Sequence, residues 1–317
     1  MQTIKKVSFM GSSQHDVALS VSGLNKSYGD FKVIKDLELE IARGSIHGIV
    51  GLNGSGKTTT LECLLGLKEY NSGKVSLLGN APADLHRAKG KIVAIFDTPS
   101  LPPNLSLRHC LQHASLLCDK PVRTPQQAEA LLGLEAFSDF KIKHLSLGNK
   151  RRASIAHALL GQPELILLDE PFNGLDAGGV DDVLALISKL NQQEGTTFLL
   201  SSHQLPYLEQ ICSHIAVLHH GAIAVNDSIS NLLENKEQSV LVRCKDKVAL
   251  LTALEGMNQV QYLRTDDDGL HHITIGSKTS AELNKALVEK QLPIDELIVQ
   301  RASVASMFRN ITSGDSE

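Results

Sequence analysis

The chain has no CxxC pair, no apolar run long enough to cross a bilayer and no surplus of basic residues. Its five cysteines, Cys63, Cys110, Cys118, Cys212 and Cys244, are odd in number and show no ligand spacing. That argues against a disulfide framework and for reduced core thiols in a cytosolic protein. No stretch approaches the roughly 18–20 apolar residues that a transmembrane helix needs. A membrane process served by this protein would therefore take its membrane part from another polypeptide. Lys5 and Lys6 precede only Val7–Met10, too short for the apolar region of a signal peptide, and residues 1–16 read as a loose leader. Lysine plus arginine number 31 against 35 acidic residues, a net charge of −4 with the basic residues scattered. This excludes the electrostatic footprint of a nucleic-acid binder. There is no internal repeat and no low-complexity tract.

What is present is enough for two domains: 317 residues, 42% of them hydrophobic. Strand patterns at Val17–Val21 and Val33–Ile41 flank a turn at Ser27–Asp30. Ile46–Val50 is apolar enough for a buried strand. Short strands follow at Gly73–Leu78 and Ile92–Phe96, then a proline-rich loop from Thr98 to Pro103 and mostly helical sequence to about Leu160. Leu165–Leu168, Thr197–Ser201 and Ile215–Leu218 read as strands, with helices at Val180–Asn191 and Pro206–Cys212. Strands alternating with helices predict an α/β fold with a mostly parallel sheet. After Leu233 the character changes. A polar linker at 234–238 leads to a strand–helix–strand–strand–helix–strand pattern over 239–300, turning at Asp268-Gly269, which matches a small ferredoxin-like module.

The most specific segment is Gly51-Leu52-Asn53-Gly54-Ser55-Gly56-Lys57-Thr58, with the spacing of a P-loop, behind a strand and ahead of a helix. Glycines let the backbone fold closely around phosphates, so that successive N–H groups converge on the oxygens. The following helix N-terminus adds positive potential, Lys57 can reach the outer phosphates, and the Thr58 hydroxyl can coordinate Mg²⁺. The motif points to a bound nucleoside triphosphate. Some 110 residues on, Leu165–Leu168 ends in Asp169-Glu170. Asp169 is placed to hold Mg²⁺, and Glu170 is next in line to polarise the water that attacks the γ-phosphate.

Three further segments complete an ordered set: Leu145-Ser146-Leu147-Gly148-Asn149 followed by Lys150-Arg151-Arg152, then Asn173-Gly174-Leu175-Asp176, then His203 at the end of a strand. Over about residues 17–233 the chain resembles the ATP-binding subunits of ABC transporters, with P-loop, signature motif, catalytic carboxylate, D-loop and switch histidine in order. The resemblance implies a P-loop NTPase domain of RecA-like type over 17–233. Its mostly parallel sheet would carry added antiparallel strands and a helical subdomain at about 104–160. A small α+β domain would follow at 239–317. It implies ATP and Mg²⁺ as ligands, with Asn53, Gly54, Ser55, Gly56, Lys57, Thr58 and Thr59 around the phosphates and Tyr28 stacked on adenine. Thr58, Asp169 and Asp97 would face the metal, and Glu170, His203 and Lys57 would carry catalysis. Ser146, Gly148 and Asp176 would act from a second ATPase subunit across a head-to-tail dimer.

The departures are local. Asp97 stands where the family usually has a glutamine; an acid there can also ligate Mg²⁺ or orient water. Leu147 and Asn149 replace the commonest residues of the signature. The layout looks like ATPase subunits of multidrug or antibiotic-resistance exporters, which act on the cytoplasmic face of the cell membrane with a separate permease. The alternative is a soluble ABC-type ATPase that drives an assembly process. The pairs His219-His220 and His271-His272 lack partners at ligand spacing and read as strand-end surface residues.

Overall fold

Two long strands open the described part of the chain. β1 (Val17–Tyr28) and β2 (Phe31–Ala42) pair antiparallel around a tight turn at Gly29 and Asp30. β1 is longer than its apolar pattern indicates, because irregularities between Val21, Leu24 and Lys26 absorb the polar residues without ending the ladder. The computed structural model describes residues 16–98, 100–234, 238–257, 259–266, 268–276, 278–300 and 304–313. The leader before residue 16, Pro99 and most of the linker lie outside these residues. The chain divides into two compact units, 1–228 and 229–317.

In the first unit β3 (Ile46–Val50) leads through the glycine-rich loop into α1 (Lys57–Leu64), and β4 (Ser72–Leu77) and β5 (Ile92–Ile95) follow. The helical stretch contains α2 (Leu107–Leu117), α3 (Pro125–Leu131) and α4 (Leu147–Ala158), which pack against one another. Then come β6 (Leu165–Asp169), α5 (Ala177–Glu194), β7 (Thr197–Ser202), α6 (Leu205–Ile211), β8 (His214–His219) and β9 (Ala222–Ser228). One sheet is antiparallel, in the order β2-β1-β4. The other has six strands in the order β5-β6-β7-β3-β8-β9, parallel except for the pair β8–β9. β9 is not evident from sequence, since its alternation is weak and its residues are only half-buried.

Leu19, Leu37 and Leu77 of the antiparallel sheet, Ile49, Leu167 and Leu199 of the other, and Leu61 and Leu64 of α1 lie in one apolar cluster. Where β4 crosses β1, a Cβ at Gly73 would stand 2.6 Å from the Gly23 carbonyl oxygen and Leu24 Cα. Only glycine permits that approach.

The second unit holds α7 (Ile229–Glu234), β10 (Gln238–Arg243), α8 (Lys247–Leu254), β11 (Gln261–Thr265), β12 (Leu270–Gly276), α9 (Ser280–Glu289), β13 (Glu296–Gln300) and α10 (Val304–Ser313). Its sheet runs β11-β12-β10-β13 with every pairing antiparallel, the strand order of a split βαβ module. Val240, Val242, Ile273, Ile275, Leu283 and Leu287 form its core.

Two sequence expectations need correction. His271 is not a surface residue: it is 4% exposed, with Nδ1 2.9 Å from Thr265 Oγ1 and Nε2 3.2 Å from the Cys244 carbonyl oxygen. Inward strand positions bury even a polar ring when both nitrogens find partners. Of the five free thiols, Cys118 is only half-buried; Cys63, Cys110, Cys212 and Cys244 are core residues, and burial pushes the Cys212 thiol well up.

Candidate functional site

Parallel pairing of β6, β7 and β3 brings their C-terminal ends to one edge of the sheet. In open α/β sheets that edge is where ligands bind. The loop after β3, the end of β6 and the residue after β7 therefore meet, although 153 positions separate their extremes, Val50 and His203. They enclose a cleft of about 480 Å³ lined by Asn53, Gly54, Gly56, Lys57, Thr58, Thr59, Asp97, Asp169, Glu170, Asn173 and His203.

The loop is shaped for an anion. Gly54 and Gly56 have φ of +82° and +103°, left-handed values that turn their amides without a side-chain clash. A Cβ at Gly51 would lie 2.4 Å from Ser55 Oγ and 2.7 Å from the Leu218 carbonyl oxygen, so the turn closes only on glycine. Ser55 Oγ is buried with no hydrogen-bond partner. That hydroxyl lies under the turn, and it is the backbone amides above it, at a helix N-terminus, that fit phosphate oxygens. Lys57, 6% exposed, donates to the carbonyl oxygens of Gly51 at 2.9 Å and Leu52 at 3.3 Å.

The carboxylates are held by β7. Asp169 accepts from Ser201 through Oδ1 and from Thr58 Oγ1 at 2.8 Å through Oδ2. Burial pushes the Asp169 carboxyl above the usual aspartate range, and the two hydroxyl bonds oppose that shift. Glu170 Oε2 accepts from Ser202 Oγ at 3.1 Å and lies 2.9 Å from His203 Nδ1, while Oε1 lies 3.3 Å from Lys57 Nζ. The backbone of Glu170 is left-handed, with φ of +49°, a conformation non-glycine residues adopt only where their surroundings enforce it. Glu170 N–H donates to the Ser201 carbonyl oxygen at 2.8 Å, and its own carbonyl oxygen accepts from Arg151.

A hydroxyl and a carboxylate, Thr58 and Asp169, are a donor set that suits Mg²⁺, whose shell phosphate oxygens and water complete. Asp97 borders the same cleft, but its Oδ1 already accepts from Arg151 at 2.7 Å and from Asn173 at 3.2 Å. Among the described residues no group of three or more His, Cys, Asp or Glu side chains forms a self-contained metal cage.

Several residues singled out from sequence lie away from the cleft lining. Tyr28, 46% exposed, ends β1 with Lys26 Nζ 4.6 Å and Lys68 Nζ 5.7 Å from its ring centroid. Ser146 caps α4 by accepting from Asn149 N–H at 3.2 Å, and Asp176 caps α5 by accepting from Gly179 N–H at 2.8 Å. These two helix starts touch: a Cβ at Gly174 would stand 2.4 Å from Leu147 Cδ2, and one at Gly148 would stand 3.1 Å from Leu175 Cδ2. Ser201, Ser202, Asn173 and Arg151 hold the site, yet sequence reading gave them no role there. For Arg151 the available signal was a basic residue in the second turn of the helix that the signature opens.

The model of the ABC transporter family matches residues 34–173. An uncharacterized ABC transporter ATP-binding protein, YdbJ of Bacillus subtilis, is 30% identical over 94% of this chain and 96% of its own length. The bacitracin transport ATP-binding protein BcrA of Enterococcus faecalis is 31% identical over 94% and 97%. Among solved structures, the ATP-binding subunit of an ABC transporter shares 28% identity and a TM-score of 0.63 over 68% of this chain and 92% of that one. A dimeric cassette in a post-hydrolysis state with ADP and phosphate shares the fold, with a TM-score of 0.61 at 23% identity over 66% and 98%. Likeness that runs through both units, well beyond the matched segment, makes this chain a member of the ABC transporter ATP-binding family and an ATPase.

Proposed function

We propose that the protein is the ATPase subunit of an exporter, acting on the cytoplasmic face of the cell membrane with a separate permease. The observation that carries the catalytic part is the placement of Glu170, whose carboxylate is held between Ser202, His203 and Lys57 at the mouth of the phosphate loop. In this reading the loop amides receive the β- and γ-phosphates, and Lys57 exchanges its loop carbonyls for phosphate oxygens. Glu170 takes a proton from water as the water oxygen bonds to the γ-phosphorus and the bond to the β–γ bridging oxygen breaks, giving ADP and phosphate. His203 orients Glu170 and faces the same phosphate. A magnesium ion held by Thr58 and Asp169 would neutralise charge on the phosphate oxygens. Tyr28 offers an exposed ring for adenine.

Ser146 and Gly148 stand outside the lining of their own subunit's cleft, which supports a head-to-tail dimer in which they meet the nucleotide of a second copy, with Asp176 beside them. Among the described residues no helix is long and apolar enough to cross a membrane. A groove of about 550 Å³ runs past Phe96, Leu101, Pro102 and Leu117, next to Asp97, and suits a coupling segment of the permease. To the C-terminal unit, which carries no phosphate motif, we assign a regulatory or dimer-stabilising part.

The test combines ATP hydrolysis by the purified chain with its location in native cells. Expected are Mg²⁺-dependent hydrolysis and recovery with the membrane fraction, together with one permease. Absence of hydrolysis would overturn the enzymatic reading. Hydrolysis with a wholly soluble protein would favour the assembly ATPase.

A further inference from the structure

Arg151 lies in the second turn of α4 and is 2% exposed, yet it carries a charge that a guanidinium does not shed. Its hydrogen bonds reach two other segments. Nη1 donates to the Glu170 carbonyl oxygen, and Nη2 donates to the Asp97 carbonyl oxygen at 2.8 Å and to Asp97 Oδ1 at 2.7 Å. One side chain thus joins the helix that begins at Ser146, the loop after β5 and the left-handed residue at the end of β6. Asn173 closes the group by donating to the same Oδ1 at 3.2 Å.

We infer that Arg151 is a positioning residue that holds Glu170 for catalysis and uses the Asp97 carboxylate as its counter-ion. The inference rests on Glu170 being the base. Two physical points carry it. A buried guanidinium requires an anion, and removing one partner of such a pair is costlier than removing both. In addition, the left-handed backbone at Glu170 needs an external restraint, and the Arg151 bond to its carbonyl oxygen supplies one. Asp97 is then directed at a protein cation, and the acid in place of the family's usual glutamine is matched by the arginine on α4. Movement of Ser146 and Gly148 would reach Glu170 through this strut.

The experiment is a double-mutant cycle in the full chain: Arg151→Gln, Asp97→Gln and the two together. Steady-state hydrolysis is measured alongside equilibrium binding of a fluorescent ATP analogue. Each single change should lower kcat by about 10–100-fold, the usual effect of removing an outer-shell partner, while leaving nucleotide affinity within a few-fold. The double variant, in which both charges leave together and two amides can pair, should regain most of the loss. A merely structural arginine would lower binding and kcat in parallel and show no rescue, which overturns the inference, as does wild-type kcat in Arg151→Gln. If Arg151→Gln does not fold, Arg151→Lys decides, since it keeps the charge but loses the two-pronged reach. Reduced kcat with intact binding supports the strut, and unchanged kcat refutes it. A wild-type chain without ATPase activity would instead refute the catalytic reading beneath it.

Discussion

Lys57 Nζ lies 3.3 Å from Glu170 Oε1, with the lysine buried and the glutamate half-buried. The cation that should receive phosphate is thus held by the carboxylate that should activate water. An incoming triphosphate competes with Glu170 for Lys57 and leaves the carboxylate free to face the water. Glu170→Gln removes the competing charge while keeping the shape. It should bind ATP at least as tightly as the natural chain and hydrolyse it about 10²–10⁴-fold more slowly, the span of general-base catalysis. Single-turnover hydrolysis and a binding isotherm measure both, and hydrolysis at the natural rate would remove Glu170 from that role.

Gly51→Ala tests the closure of the phosphate loop. The new methyl group would stand 2.4 Å from Ser55 Oγ and 2.7 Å from the Leu218 carbonyl oxygen, so loop or strand must move. The expected cost is about 1–3 kcal/mol of stability, as for other overpacked sites, together with weakened ATP binding. At Gly54 a methyl group meets nothing within 4 Å, and only the left-handed φ of +82° opposes it, a cost of about 1–2 kcal/mol. Urea unfolding of the two variants should rank them in that order.

His47 predicts an acid limit for the fold. It is 3% exposed on β3, stacked on His214 at 5.6 Å and 3.1 Å from Asn226 Oδ1, and its pKa is lowered to about 4, chiefly by burial and then by His214. Between the ordinary histidine value near 6.5 and about 4 the unfolded chain binds the proton and the fold does not. Stability should therefore fall as pH drops through that window, by at most ~1.4 kcal/mol per pH unit from this residue. Urea midpoints at pH 7, 6 and 5 should fall more steeply for the natural chain than for His47→Gln. Equal slopes would show that His47 contributes nothing to the acid limit.

A chain ending at Ser228 tests the independence of the two units. Residues up to 228 contain every side chain that lines the phosphate cleft and the whole of the six-stranded sheet. Such a chain should melt cooperatively and bind ATP with an affinity close to that of the full chain. Loss of binding in a folded fragment would show that the C-terminal unit supports the site.

Residues close together in the chain were the legible ones. The P-loop is a run of eight, and its cradle is made by the backbone of those same residues, so composition and spacing reveal it directly. The same holds for the apolar strand that delivers Asp169 and Glu170. The succession of strands and helices in the C-terminal unit was legible too, with its hairpin turn at Asp268-Gly269, while the order of the strands in the sheet came from the structure. At β9, weak alternation left no signal, and the strand is set by pairing with β8.

By itself the sequence determined the chemistry: a phosphate loop, two carboxylates at a strand end and a histidine that follow one another in the order of a family. Only the tertiary structure decided what each side chain faces. Asp97 borders the phosphate cleft and also meets Arg151, 54 positions away, because β5 and α4 deliver both to one point. His271 looked like a strand-end surface residue, yet it is enclosed by Thr265 and the Cys244 carbonyl. Local periodicity encodes which way a residue turns relative to its own helix or strand. It carries no record of the distant group that packs against it, and the charge balance of this site rests on those distant groups.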